Sequence, residues 1–298
     1  MKQAVLLLAH GAPERLEDVE SYVAIVRGGS LNDPRITEEL KRRYALIGGG
    51  SPLLSRTFAQ ALALEHALQS RGLQAKVYVG MRNWHPFIRD VMAQMQTDGV
   101  ERIVAICLAP QYSKRSIGLY FRKVQEARQD LRIKAEIVWT KSFHRHPLLI
   151  EAFYEKLAPL LPVSKVLFTA HSLPAKILEE ADPYDAEVRS TAEAVAERAH
   201  LESWEFAYQS QGMTEEKWLG PNVESCIDRF ARDGVREFAL VPIGFVSDHV
   251  EILYDVDILF RRYALERGIR LLRPESLNDS PTFISALAAV AEERLLAS

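Results

Sequence analysis

A histidine and a row of carboxylates are the residues of this chain whose types and spacing could do chemistry. His171 lies in Leu167–Pro174, which reads Leu-Phe-Thr-Ala-His-Ser-Leu-Pro. Val166, Leu167, Phe168 and Thr169 form the apolar, β-branched run of a buried strand, and Leu173-Pro174 turns the chain away. A parallel strand delivers its C-terminal residue to the crevice where α/β proteins bind ligands, so His171 stands at a site mouth. The simpler reading is a strand-end histidine that only hydrogen-bonds backbone. The carboxylates belong to Val246–Asp257, which follows a second strand, Phe238–Ile243. At helical spacing Asp248, Glu251 and Asp255 share one face, three and four residues apart. Three such groups repel and raise at least one pKa unless a cation or proton lies among them. A merely solvated acidic face is the alternative, but Val250, Ile252, Leu253, Val256 and Ile258 leave this segment little surface to solvate. A neutral imidazole from His171 with a carboxylate from Glu251 suits a divalent first-row metal such as iron. Two ligands describe a site that passes a metal on rather than storing it.

Three further clusters carry polar and aromatic groups on loops. Arg42–Pro52 contains Gly48-Gly49-Gly50 but lacks the Gly-Lys-Ser/Thr of a phosphate loop. Its arginines and Ser51 suit a substrate bearing carboxylates. Gln111-Tyr112-Ser113 through Tyr120 follows a strand, and Gln209–Gly212 with Trp218-Leu219-Gly220-Pro221 puts a tryptophan on a tight turn. Together they fit a cleft for a flat, largely apolar ligand.

Strands at Ala4–Ala9, Ala75–Val79, Ile103–Leu108 and Ala135–Thr140 alternate with helical segments, and the pattern restarts at Val166–Ala170, Glu205–Tyr208 and Phe238–Ile243. One long helix is expected from Asp248 to about Arg267, and Ser280–Leu296 closes the chain. Strands alternating with helices of this length predict parallel sheets. The halves echo each other. Ala9-His10-Gly11-Ala12-Pro13 parallels Ala170-His171-Ser172-Leu173-Pro174, and Asp98-Gly99-Val100 parallels Asp233-Gly234-Val235. The offsets, 161 (171 minus 10) and 135 (233 minus 98), differ, so this is no solenoid. Two similar doubly wound halves would place a ligand cleft between them, with His10 and His171 at equivalent strand ends.

Composition bounds the function classes. Across 298 residues, 48% hydrophobic and 26% charged, the chain reads as globular, and a net charge of −3 gives no sign of a nucleic-acid partner. Cys107 and Cys226 form no metal-spaced set. No apolar run approaches the ~20 residues that span a bilayer, and the N-terminus runs straight into a strand, so a cytoplasmic protein is expected.

With these residues in view, the chain resembles the ferrochelatases, class II chelatases of the single-subunit bacterial type. Ile47–Pro52, Leu108–Ser113, Ala170–Pro174, Asp182-Pro183-Tyr184, Trp218–Pro221 and Ser247–Asp255 carry the resemblance in order over essentially the whole chain. It implies an α/β fold of two Rossmann-like halves, 1–160 and 161–298, each with a parallel four-stranded sheet. The active-site cleft would lie between them, with the last helix packing back. It also implies insertion of ferrous iron into a porphyrin, with His171 and Glu251 as the catalytic and metal-site pair. A planar porphyrin resists a metal because its pyrrole protons must leave and its lone pairs lie in the ring plane. Clamping the ring into a saddle tilts them outward, with binding energy supplying the strain. His171, neutral near pH 7, would take pyrrole protons or hold iron, the order being open, and Glu251 would relay protons along a secondary path through Asp255 and Asp248. Arg27, Arg43, Tyr44, Ser51, Tyr120 and His10 match positions that face the porphyrin, the arginines suiting its propionates. Iron enters as substrate, with no permanently bound cofactor, and the expected form is a monomer with at most peripheral membrane contact.

Some departures bear on the substrate. His10 stands where the coproporphyrin-using relatives resemble one another in tyrosine and the mammalian enzyme has methionine. It would be an axial ligand to product iron or simply a strand-end hydrogen bonder. Leu259 replaces an acid that lengthens the carboxylate row in some relatives, and the C-terminus lacks the cysteines of an iron–sulfur cluster. The short segment Arg27–Arg35 lacks a long apolar lip and leans toward coproporphyrin III, while Gly50 and His85-Pro86 resemble the protoporphyrin IX users. The porphyrin therefore stays open. Two other classes are compatible with the residues: a cobalt or nickel chelatase of a sirohydrochlorin-type ring using His10 and His171, and a haem carrier without turnover. A periplasmic binding protein is disfavoured by the N-terminus.

Overall fold

The computed structural model describes residues 1–28, 34–212 and 216–297. The middle of the Arg27–Arg35 segment, residues 29–33, thus lies outside the described residues. Contacts gather 1–109, 116–143 and 278–298 into one unit and 110–115 with 144–277 into another. The grouping differs from a simple halving at 160 in placing 110–115 and 144–160 with the second unit and the last helix with the first.

In the first unit the order is β1 (Gln3–Ala9), α1 (Val19–Val26), α2 (Pro34–Leu46), α3 (Leu53–Ser70), β2 (Lys76–Met81), α4 (Ile88–Thr97), β3 (Arg102–Cys107), α5 (Ile117–Asp130) and β4 (Glu136–Thr140). The four strands are parallel in the order β2-β1-β3-β4. Ala4 to Leu8 of β1 are fully buried, as an unbroken apolar run covered on both faces requires.

The second unit runs α6 (Pro147–Leu157), β5 (Val166–His171), α7 (Tyr184–Arg198), β6 (Trp204–Gln209), α8 (Val223–Arg232), β7 (Glu237–Pro242), a π-helix (Glu251–Phe260), α9 (Arg261–Leu265) and β8 (Arg270–Leu272). Its strands are also parallel, in the order β6-β5-β7-β8. The two sheets therefore share one topology. His10 follows β1 and His171 ends β5, the equivalent strand, and the two Asp-Gly-Val echoes precede β3 and β7. The fourth strand, β8, is missed by periodicity because three residues are too few to show any. The last helix, α10 (Pro281–Leu296), is tied to the first unit by Arg71 on Glu292 (2.8 Å) and by Arg102 donating to the Ala297 carbonyl (2.5 Å).

The single helix expected over Asp248–Arg267 is instead a π-helix followed by a short α-helix. The Arg261 N–H reaches the Val256 carbonyl, five residues back. That i→i+5 bonding stacks residues four and five apart. Ile252, Val256 and Phe260 recur at four-residue spacing and pack with Leu167, Phe230, Phe238 and Leu240 in the buried core. Glu251 and Asp255 form the adjoining stripe, which ends on Leu259, itself packed on that core. Among the described residues no helix is long and apolar enough to cross a membrane.

Phe230 is fully buried in this core. Phe230→Ala is expected to destabilise the protein by about 3–5 kcal/mol, read as a lower midpoint in urea denaturation.

Candidate active site

His171 reaches the site because β5 carries it one residue past a fully buried strand, in register with Gln209 of β6. Three hydrogen bonds fix this strand end. Buried Tyr184 donates to the His171 carbonyl (2.8 Å), and burial raises its phenol pKa so that it stays protonated. Thr169 Oγ1 donates to Gln209 Oε1 (2.7 Å), and Gln209 Nε2 donates to the Glu251 carbonyl (3.2 Å), binding the first residue of the π-helix to the strand ends. The turn after β7 presses on the same place. A side chain at Gly244 would put its Cβ 2.8 Å from that of Ala170, beside His171.

His171 Nδ1 lies 3.0 Å from Glu251 Oε2. An ionised carboxylate only accepts, so Nδ1 carries the proton and donates, leaving Nε2 as the ring nitrogen turned to other chemistry. A second imidazole stands on the same carboxylate. His249 Nδ1 donates to the Ser247 carbonyl (2.9 Å), and its Nε2 is 3.9 Å from Glu251 Oε2. Phe245 lies edge-on to His171 and tilted against His249, with ring centroids 6.5 and 5.0 Å away. The His171 and Glu251 side chains keep 34% and 32% of their surface open, enough to meet a small ion.

The charges follow from this packing. For His171, burial disfavours the imidazolium, but the charge and hydrogen bond of Glu251, with Asp255 beyond, outweigh it and raise the pKa above 6.5. His249 is raised in the same way, by Glu251, the Ser247 carbonyl and Asp255 against burial. For Glu251, burial opposes the carboxylate, but the two imidazoles hold its pKa well below 4.5. His171 thus keeps its proton to higher pH than the neutral imidazole read from sequence.

Asp255 continues the stripe and accepts a hydrogen bond from Ser210 Oγ. Asp248 does not join it. It precedes the helix, accepts from Ser276 Oγ (2.7 Å) and pairs with Arg273 (3.4 Å), so the three-carboxylate face expected at α-helical spacing is here a pair. Among the described residues no three His, Cys, Asp or Glu side chains are grouped to hold a metal ion. Sequence reasoning placed Ser210 in a loop cluster lining a cleft but did not assign His249 or Arg273 a role. For His249 the signal was present, two residues from Glu251, whereas Arg273 is brought in only by β8.

Several sequence motifs have structural work in this unit. Asp182 accepts from Ser113 Oγ (3.0 Å), the Lys114 N–H (2.7 Å) and the Tyr184 N–H (3.1 Å), while Gln111 Nε2 donates to Thr191 Oγ1 (3.0 Å) and the Ile243 carbonyl (3.1 Å). The tryptophan loop pairs with the segment after His171, through Leu219 N–H on the Leu173 carbonyl (2.9 Å).

A family model for ferrochelatase matches residues 2–295. The chain belongs to the ferrochelatase family. It is 43% identical to a ferrochelatase of Acidobacterium capsulatum, over 99% of this chain and 95% of the relative. It is 35% identical to a coproporphyrin III ferrochelatase of a Geobacillus species, over 99% and 98%. In fold it is similar to SirB from Bacillus subtilis, solved with Fe3+, at a TM-score of 0.65 and 12% identity over 99% of this chain and 96% of that one. As a member of the ferrochelatase family, the protein is a metal-inserting chelatase.

The residues expected from the sequence to face a porphyrin lie in the first unit. His10 Nε2 is 3.1 Å from Tyr22 Oη and 3.0 Å from Asn83 Nδ2, and Arg82 lies 3.5 Å from Nδ1. Arg82 also lies over the Tyr120 ring, 4.8 Å from its centroid, so His10 and Tyr120 share one neighbour. Arg43 pairs with Glu39 (2.9 Å), which arginines 42 and 43 hold at a pKa of about 2. Tyr44 is fully buried and Ser51 nearly so, whereas Arg27 is exposed at the end of α1. Ser51 sits against the loop after β1, its N–H on the Pro13 carbonyl (2.9 Å). Gly50 is required there, because a Cβ would lie 1.9 Å from the Glu14 carbonyl oxygen. Close packing thus accounts for Gly50, whereas Gly48 and Gly49 stand in open space at φ values of 106° and 98° that favour glycine.

Two outcomes follow from this geometry. Gly244→Ala should displace the end of β5, lowering the melting temperature and disturbing the His171 ring resonances in NMR spectra, and unshifted resonances would contradict it. Glu251→Gln should cost stability in a defined pH window. The raised histidines contribute fully below 6.5 and lose that contribution as pH rises through their folded pKa values, while the depressed Glu251 contributes fully above 4.5 and loses it as pH falls. The gap between wild type and Glu251→Gln in denaturation is therefore expected to be greatest between 4.5 and 6.5 and to shrink on either side.

Proposed function

We propose that the family reaction, insertion of ferrous iron into a porphyrin in haem biosynthesis, runs here through the His171–Glu251 pair. The observation that carries the reading is the 3.0 Å bond from His171 Nδ1 to Glu251, which leaves Nε2 as the second ring nitrogen. Once neutral, Nε2 takes a pyrrole proton or holds iron on its way to the ring, and its raised pKa makes it a stronger base than an unperturbed imidazole. Glu251 keeps the imidazolium stabilised after the transfer and hands protons toward Asp255 on the same stripe. Metal and proton compete for Nε2, so iron loading weakens as pH falls. His10, Arg27, Arg43, Tyr44, Ser51 and Tyr120 are proposed to receive the macrocycle, with the arginines on its propionates and His10 as the candidate axial group for product iron.

Iron is substrate, and the reading includes no permanently bound cofactor and no iron–sulfur cluster. It describes a cytoplasmic monomer with at most peripheral membrane contact. Relatives named ferrochelatase and coproporphyrin III ferrochelatase both match nearly the full chain, so protoporphyrin IX and coproporphyrin III are both candidates. The match to the ferrochelatase model favours iron over the cobalt or nickel reading and turnover over mere carriage.

The test follows anaerobic ferrous-iron insertion by absorbance with each porphyrin separately. Wild-type protein is expected to turn over at least one, and His171→Ala to lose about 10²–10⁴-fold in kcat. Wild-type rates in His171→Ala would overturn the assignment.

A further inference from the structure

Arg273 emerges just past β8 with a side chain only 12% exposed, so its charge must be satisfied by the protein. Its fork is bidentate on Asp257, Nε to Oδ1 at 2.8 Å and Nη2 to Oδ2 at 2.7 Å. The remaining nitrogen, Nη1, reaches Asp248 Oδ1 at 3.4 Å and donates to the Pro274 carbonyl at 3.1 Å. Ser276 Oγ closes the cluster by donating to the same Asp248 oxygen at 2.7 Å. One guanidinium therefore ties a point three residues before Glu251 to a point two residues after Asp255. Everything the π-helix offers to a metal or a proton lies between those two tethers.

We propose that Arg273 is a positioning residue for metal delivery, a clamp that holds Asp248 and Asp257 together and so fixes the stretch of π-helix carrying Glu251 and Asp255. Ion pairs in a core are not kept for net stability as a rule, since an apolar set of similar size is often as stable. Fixing geometry is what this one adds. A planar fork with three engaged nitrogens holds the two carboxylates in one relative orientation, which a lysine ammonium cannot reproduce. The i→i+5 helix is an uncommon conformation. Its entry is anchored by Gln209 on the Glu251 carbonyl, and Arg273 supplies the anchor further along. The inference rests on the function proposed for His171 and Glu251.

The experiment compares Arg273→Lys, which keeps the charge and loses the fork, with the neutral triple variant Arg273→Leu/Asp248→Asn/Asp257→Asn, which removes the clamp without stranding a charge. Arg261→Gln is the control, since Arg261 touches Asp257 only from the exposed side at 3.3 Å. The KM for ferrous iron is expected to rise about 10–100-fold in both clamp variants, the range seen when groups behind metal ligands are removed. The porphyrin KM and Arg261→Gln should stay at wild-type values. Hydrogen exchange of the amides from Glu251 to Phe260, read without substrate, should quicken in both. A wild-type iron KM in the folded variants overturns the proposal whatever the exchange shows. A His171→Ala protein that still turns over would instead overturn the catalytic reading, while the exchange measurement still reports on the clamp.

Discussion

A carboxylate contacted by two imidazoles is the interaction on which the electrostatics at the end of β5 depend. Glu251 alone in this setting would be driven by burial toward its neutral form, and His171 alone toward loss of its proton. Side by side, each reverses the other's tendency, because the attraction between opposite charges in a poorly solvated site exceeds the desolvation of either. The result is a proton kept at a chosen nitrogen of a chosen ring. His249 favours the carboxylate's charge at the same oxygen, Oε2, while its own Nδ1 is committed to the Ser247 carbonyl.

The fold spends much of its local detail on holding that carboxylate still. The π-helix turns Glu251 and Asp255 onto one stripe while Ile252, Val256 and Phe260 bury the next one in the core. Gln209 ties the helix start to β5 and β6 through Thr169, and the glycine at 244 lets the preceding turn lie directly on Ala170. The first unit repeats the same strand order, and there His10 sits at the matching strand end among Tyr22, Asn83 and Arg82. The repeated topology thus supplies two strand-end histidines in different surroundings.

Much of this was legible in the chain. His171 and Glu251 stand out because one ends an apolar strand and the other lies in an acidic segment following a strand, and both signals are local. The echo of Ala9–Pro13 in Ala170–Pro174 foretells the shared topology for the same reason. What the sequence could not show depends on backbone geometry or on distant partners. The bonding pattern of a π-helix has no periodic signature distinct from an ordinary helix over ten residues, so Asp248 was expected on a stripe that it does not join. Strand β8 is too short to announce itself, and with it Arg273 stayed out of view. The upward shift of His171 could not be read either, since it needs the 3.0 Å contact with Glu251 as well as the residue types.

Glu251 sets the protonation of His171, and titration of the His171 ring nitrogens by NMR in the ligand-free protein tests this most directly. A midpoint above 6.5 is expected in the wild type, with Nδ1 as the protonated nitrogen of the neutral ring, and a clear downward move in Glu251→Gln. A midpoint at or below 6.5 in the wild type, or one indifferent to Glu251→Gln, would contradict it.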